Sequence, residues 1–164
     1  MMKAAESFSA DYQRARSKFR ELAVQHGAIM ESVQHPERGP DGGELFTDVA
    51  AFGVADAERV LVLLSGTHGV EGFCGSGAQV DLLRRGEVVR RPGGVGILMV
   101  HGVNPYGFAW LRRVTHENID LNRNWIDFDR PLPGNAGYDE LHPAICPGTW
   151  DADSRSASAA AIAR

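Results

Sequence analysis

The chain has 164 residues, 43% hydrophobic and 23% charged, with a formal net charge of −4. That length suits one domain with a real core, and the acidic balance offers no basic field for nucleic acid or an anionic membrane. Two cysteines, Cys74 and Cys146, make no disulfide framework, so a reducing compartment is expected. The opening MMKAAESFSADYQRARSKFREL is too charged to be a signal core. No run approaches the ~20 apolar residues of a membrane span. A cytoplasmic protein, with neither membrane nor nucleic acid as partner, is the expectation.

From about Ser9 to His26 the spacing of Tyr12, Ala15, Phe19, Leu22 and Ala23 predicts a helix, with Gly27 placed to end it. AIMESV reads as a short strand, HPERGPDGG as a turn-rich connection and ELFTDVAAF as a second strand, together an antiparallel hairpin. RVLVLLSG is a near-continuous apolar run, as expected of a strand covered on both faces. A helix is predicted over SGAQVDLLRRG, with Ser76 as cap and Gly86 as stop. GGVGILMVHG repeats the buried-strand pattern and ends at His101, and NPYGFAWLRR is a turn followed by a short helical segment. Arg130 to Trp150 is rich in Pro and Gly and reads as a long surface loop. The tail DADSRSASAAAIAR reads as the start of a helix capped by Asp153 or Ser154. Strands alternating with helices predict one α/β domain over residues 1–164, with a mixed, mostly parallel sheet flanked by helices.

SGTHGVEGFCGSG, directly after the apolar run, offers the sharpest chemistry. In open α/β sheets, ligands bind beyond the carboxyl ends of strands. His68 and Glu71 fall there, and imidazole and carboxylate are common zinc ligands. Glycines at 66, 69 and 72 let the backbone fold tightly between them. Taken alone, a His-x-x-Glu pair is equally a Gly-rich turn with a surface ion pair. Further on, Asn122 and Arg123 follow IDL; an Arg fork binds a carboxylate with two hydrogen bonds and Asn can add a third.

THGVEG, NPYGF and DLNRNW, in this order, resemble the zinc carboxypeptidase superfamily of carboxypeptidase A-like metallopeptidases. Within it they are similar to a largely uncharacterised bacterial carboxypeptidase-like branch. The resemblance runs from roughly Arg59 to Trp150 and implies a carboxypeptidase-like hydrolase fold. It implies that His68 and Glu71 are the first two zinc ligands. It makes Asp120 the carboxylate that orients His68 from behind, a role in keeping with the chemistry of ligating histidines. Asn122 and Arg123 match the pair gripping a substrate's terminal carboxylate. Arg112 or Arg113 matches the arginine that polarises the scissile carbonyl, and Arg113 is preferred. The implied activity is cleavage of an amide next to a free carboxylate by water activated on zinc, with a glutamate as base. The implied partner is a small peptide or an acyl-amino acid.

The pattern is incomplete. The family's third zinc ligand is a histidine well downstream, and its catalytic glutamate lies further on. After Arg123 the sequence has only His142, with no strand pattern before it, and Glu140 is a weaker candidate for the base. The chain therefore reads as the front half of a larger enzyme. Two other functions stay open: an acyl-amino-acid deacylase like the aspartoacylase branch, and a non-catalytic fragment or binding module. Among the remaining residues, His101 reads as a hydrogen-bonded core histidine or a cleft residue, and not as a ligand. HENID fails as His-Glu-x-x-His because its last position is Asp120. Cys74 is expected to be a buried small residue, and Trp110 and Trp125 are expected to pack loops.

Overall fold

The structure, a computed structural model, describes residues 4–163. The chain divides into two compact units, one ending at Trp125 and the other starting at Ile126. Helix α1 (Tyr12–Gln25) is capped by Asp11, whose carboxylate accepts the Arg14 N–H at 2.8 Å. Ala15, Phe19 and Ala23 are fully buried on one stripe, and Gly27 reverses the chain at φ +74°.

Strands β1 (Ile29–Arg38) and β2 (Glu44–Phe52) form the expected antiparallel hairpin, although β1 runs on through His35 and Pro36. The turn closes by Gly39 N–H to Gly43 O at 2.8 Å, and Asp41 accepts the Gly43 N–H at 3.0 Å. Strand β3 (Arg59–Leu64), helix α2 (Gly72–Arg84) and strand β4 (Val95–His101) make a parallel strand–helix–strand unit. The sheet order is β1-β2-β4-β3. The sheet is mixed and flanked by helices, but only β3–β4 is a parallel pair; β1–β2 and β2–β4 are antiparallel. The hairpin joins the inner parallel strand through its second arm, so antiparallel pairing prevails.

One sheet face carries Met30, Ala50, Phe52, Ile97, Met99 and Leu63 against Phe19, Ala23, Val80 and Leu83 of the two helices. Each large side chain buried there contributes roughly 1.5–3 kcal/mol. The strand expected to be covered on both faces is not. β3 is an edge strand, and Val60, Leu61, Val62 and Leu64 are 42%, 50%, 50% and 57% exposed.

Helix α2 begins four residues before Ser76, with Glu71 at its cap position. Gly66 and Gly72 come close to Phe108, which leaves no room for side chains, and so the glycine run starts the helix early. Ser76 is interior and bonds His101 instead. Helix α3 (Pro105–Trp110) has Asn104 as its cap, accepting the Gly107 N–H at 2.8 Å.

In the second unit the expected surface loop contains helix α4 (Ala136–Ile145). Asn135 caps it, and Tyr138 and His142 face each other one turn apart, with His142 Nδ1 and Tyr138 Oη 3.0 Å apart. Helix α5 (Ala152–Ile162) is capped by Asp151 rather than Asp153 or Ser154; Asp151 and Ser154 form a reciprocal capping box. Among the described residues no helix is long and apolar enough to cross a membrane.

Candidate functional site

The parallel pair β3–β4 ends at Leu64 and His101, and both following segments turn at the same place. Ser65 N–H donates to Val100 O, and Val103 and Asn104 donate back to Ser65 O and Gly66 O at 2.9 and 2.8 Å. Gln79 of α2 ties this end together from below. Its amide nitrogen donates to Leu63 O (2.9 Å) and Val100 O (3.2 Å), and its oxygen accepts the Ser65 hydroxyl (2.8 Å). The loop holding His68 thus leaves a fixed strand end.

His68 and Glu71 line one shallow depression of about 200 Å³ with Ser65, Thr67 and Gly72. A larger depression, about 340 Å³, lies around Gly53, Asp56 and Arg91 and holds none of the expected site residues. Gly69 packs directly on the segment after α3, its N–H donating to Arg112 O at 2.9 Å. Two non-glycine residues at positive φ, Leu111 (55°) and Asn118 (62°), bracket that segment. Left-handed backbone is costly for such residues and concentrates where the surroundings enforce it.

The segment brings Asp120 to the His68 ring: Oδ1 and Nε2 are 2.8 Å apart. The other oxygen, Oδ2, accepts Nε–H of Arg113 at 2.8 Å, and Oδ1 also accepts the Asn122 N–H at 2.9 Å. The bond to His68, followed by those from Arg113 and Asn122, pulls the Asp120 carboxyl down to about 2. Asp120 is therefore anionic at neutral pH, so Nε2 is the donor in this contact. In the neutral ring the lone pair then falls on Nδ1, the form a metal requires of imidazole.

Arg112 and Arg113 separate cleanly. Arg112 bonds Asn118 Oδ1 at 2.5 Å, away from Asp120, whereas Arg113 joins the Asp120 cluster. Asn122 and Arg123 follow in a single 3-10 turn that Asp120 caps. The Arg123 guanidinium is exposed and donates to Asn122 O at 3.1 Å; it forms no ion pair with any described residue.

The donor chemistry of His68 and Glu71 suits zinc, but two donors make part of a site. Among the described residues no group of three His, Cys, Asp or Glu side chains could hold a metal ion. His142 and Glu140 belong to α4 of the second unit. His101 is fully buried, stacks on Phe19 with centroids 4.7 Å apart, and lies 2.9 Å from the Ser76 hydroxyl. Burial pushes its imidazole down to about 4. It is a core residue. Cys74, expected to be buried, is exposed because the early start of α2 turns it outward. Trp125 is 83% exposed, whereas Trp110 donates its indole N–H to Arg38 O at 2.9 Å. Sequence reasoning missed Gln79: a glutamine inside a predicted helix looks solvated, and only its place on the buried face could have marked it.

The profile of DUF2817, a family of proteins of unknown function, matches residues 8–164. The chain belongs to this family. No curated protein matches this DUF2817 sequence. Solved structures with partial likeness include a glutaminyl cyclase of Tannerella forsythia, 17% identical over 71% of this chain and 43% of that one, with a TM-score of 0.42. A Zn-dependent exopeptidase of Parabacteroides distasonis is 14% identical over 86% of this chain and 50% of its own, with a TM-score of 0.42. A glutaminyl cyclase of Porphyromonas gingivalis is 14% identical, over 87% and 55%, with a TM-score of 0.41. This DUF2817 chain spans about half the length of these proteins. Likeness of this degree transfers no chemistry.

Proposed function

We propose that the chain carries one side of a zinc-dependent amidohydrolase site for substrates with a free carboxylate beside the scissile amide. The observation that supports this most is the 2.8 Å contact between His68 Nε2 and Asp120, made across 52 residues of sequence. In the neutral ring it leaves the lone pair on Nδ1, and His68 lines the same depression as Glu71. His68 and Glu71 would hold the ion, whose contribution when bound is Lewis acidity toward the carbonyl. Asp120 keeps the His68 proton on Nε2. Arg113 spends Nε on Asp120 and makes no further hydrogen bond among the described residues, so its remaining N–H groups are available to a developing oxyanion. Arg123 with Asn122 would take the substrate carboxylate.

Carboxypeptidase and acyl-amino-acid deacylase chemistry both fit this arrangement, and the donor placement supports their shared reaction class. A second reading, a non-catalytic binding module, is favoured by the count of two metal donors among the described residues. Side-chain Nε–H NMR of the arginines separates the readings. N-acetyl amino acids should shift the Arg123 signal and their amides should not. Arg123→Ala should weaken binding of the acid by about 10- to 100-fold, the worth of hydrogen bonds to a charged group. Equal response to acid and amide would defeat the carboxylate assignment. Carboxylate binding that zinc leaves unchanged would support the binding module over the hydrolase.

A further inference from the structure

Four ring side chains gather where the end of β1 meets α3 and the segment after it. His35 stacks on Tyr106 with centroids 6.1 Å apart. His116 stands edge-on to His35, 5.0 Å away and at 90°. It also meets Tyr106 at 5.9 Å, while Trp110 tilts against the Tyr106 ring at 5.8 Å. His35 Nδ1 accepts the Glu37 N–H at 3.1 Å. That nitrogen must then be unprotonated, so the ring is neutral and its proton sits on Nε2. Nε2 is a donor in this state and not a metal ligand.

We propose that His35 and His116 form a pH-sensitive clasp, closed when both rings are neutral, that holds segment 111–120 against β1. Protonating His35 sacrifices its bond from Glu37 N–H and sets a cation beside a second imidazole. Burial, and then the neighbouring His116, already hold His35 below the ordinary imidazole range. Few charges offset the repulsion. On β1, Glu37 favours the cation, and Arg38 is paired with Glu44 of β2 at 3.2 Å. On the segment, Arg112 is bonded to Asn118 and Arg113 to Asp120, and Glu117 adjoins His116 in sequence. From α3, the Tyr106 ring faces both histidines, with Trp110 against it.

The clasped segment carries Arg112 O, which holds Gly69, and Asp120, which holds His68. Opening the clasp in acid therefore frees the loop that bears His68. That consequence for activity rests on the hydrolase reading; the clasp itself does not.

The test uses the metal-free chain, so its failure and that of the hydrolase reading are separate results. Ring NMR should show His35 titrating below the ordinary value and moving back up in His116→Gln. The Gly69 amide, corrected for intrinsic exchange, should lose about 5-fold in protection from pH 7.5 to 5. His116→Gln and His35→Gln should abolish that loss. His116 is exposed, so its replacement leaves the core intact. Two rings titrating independently near the ordinary value would overturn the clasp. So would an equal loss of protection in His116→Gln, which would place its origin elsewhere, at His68 for example.

Discussion

Replacing Gln79 by Met tests whether the strand ends beneath the site are held by this one amide. The thioether has nearly the same length and shape, so the space filled by Gln79 beside the strand ends is kept. Three hydrogen bonds are lost. Val100 O keeps its bond from the Ser65 N–H, so it stays satisfied. Leu63 O keeps its place in the β3–β4 ladder, where Leu64 pairs with Val100, so only the Ser65 hydroxyl, on a residue 4% exposed, loses the partner seen here. An unsatisfied buried polar group costs about 1–3 kcal/mol, and the substitution should cost about that much. With an m-value of about 2 kcal/mol/M, the urea midpoint should fall by about 0.5–1.5 M.

Circular dichroism during urea unfolding reads this directly. Gln13→Met is the control: its amide donates one bond to Glu44 O near the surface, and its loss should cost under about 0.5 kcal/mol. The site should respond as well, because Ser65 begins the loop that reaches His68. Backbone NMR shifts in Gln79→Met should therefore change from Ser65 through Glu71, beyond the residues touching position 79. Equal midpoints for Gln79→Met and Gln13→Met would refute the bracket. So would shift changes confined to the immediate neighbours of residue 79.

Substitutions at three further positions probe other links. Asp48 is fully buried between Arg16 (2.6 Å and 3.1 Å), Arg20 (2.6 Å) and Ser32 (2.5 Å); Asp48→Ala takes the shared partner from two partly exposed guanidinium groups and should cost about 1–3 kcal/mol by urea melt. Burial alone would raise the Asp48 carboxyl, but the bonds from Arg16, Ser32 and Arg20 hold it below the usual range. Its contribution is thus present above the unfolded carboxylate value and lost as pH falls through the lower folded one. Asp48→Asn should flatten the acid limb of a stability–pH curve, and an unchanged limb would show that the carboxylate is not linked to folding. Gly69→Ala would place its Cβ 2.5 Å from Gly107 O and 2.6 Å from Arg112 O, so the Arg112 segment must shift; a preserved Gly69 amide shift would contradict this packing. Asp120→Asn should lower the zinc affinity of the chain by about 10- to 100-fold, the usual effect of losing a ligand's supporting partner, and equal calorimetric titrations would remove Asp120 from that role.

The fold was legible where local patterning and burial agree. Tyr12, Ala15, Phe19 and Ala23 predict α1 because their spacing and their burial coincide. The hairpin was legible from GPDGG between alternating runs. β3 misled because a continuous apolar run describes composition and not cover: Val60, Val62 and Leu64 are as apolar as a buried strand yet about half exposed. The start of α2 misled for a different reason. Glycine weakens helices, so FCGSG reads as loop, but Gly72 and Gly75 are required by the closeness of Phe108 and Ser65, and tertiary contact overrides propensity. α4 was hidden by Pro143, which tolerates a helical setting late in a short helix that Asn135 has already started.

The site was legible as motifs and illegible as geometry. Nothing in the spacing of His68 and Glu71 says which ring nitrogen is free, yet that decides whether the pair can hold a cation. The answer comes from Asp120, whose two oxygens serve His68, Arg113 and the Asn122 N–H together. One carboxylate thereby ties the loop after β3 to the segment after α3 and starts the turn that presents Arg123. The Asn122 N–H bond caps the turn, and the Arg113 bond holds the neighbouring segment to it. Together they give the His68 ring, the Arg113 fork and the Arg123 turn a common anchor. Asp120→Asn should therefore disturb both the zinc titration and the Arg113 Nε–H signal, whereas Glu71→Gln should disturb the first alone.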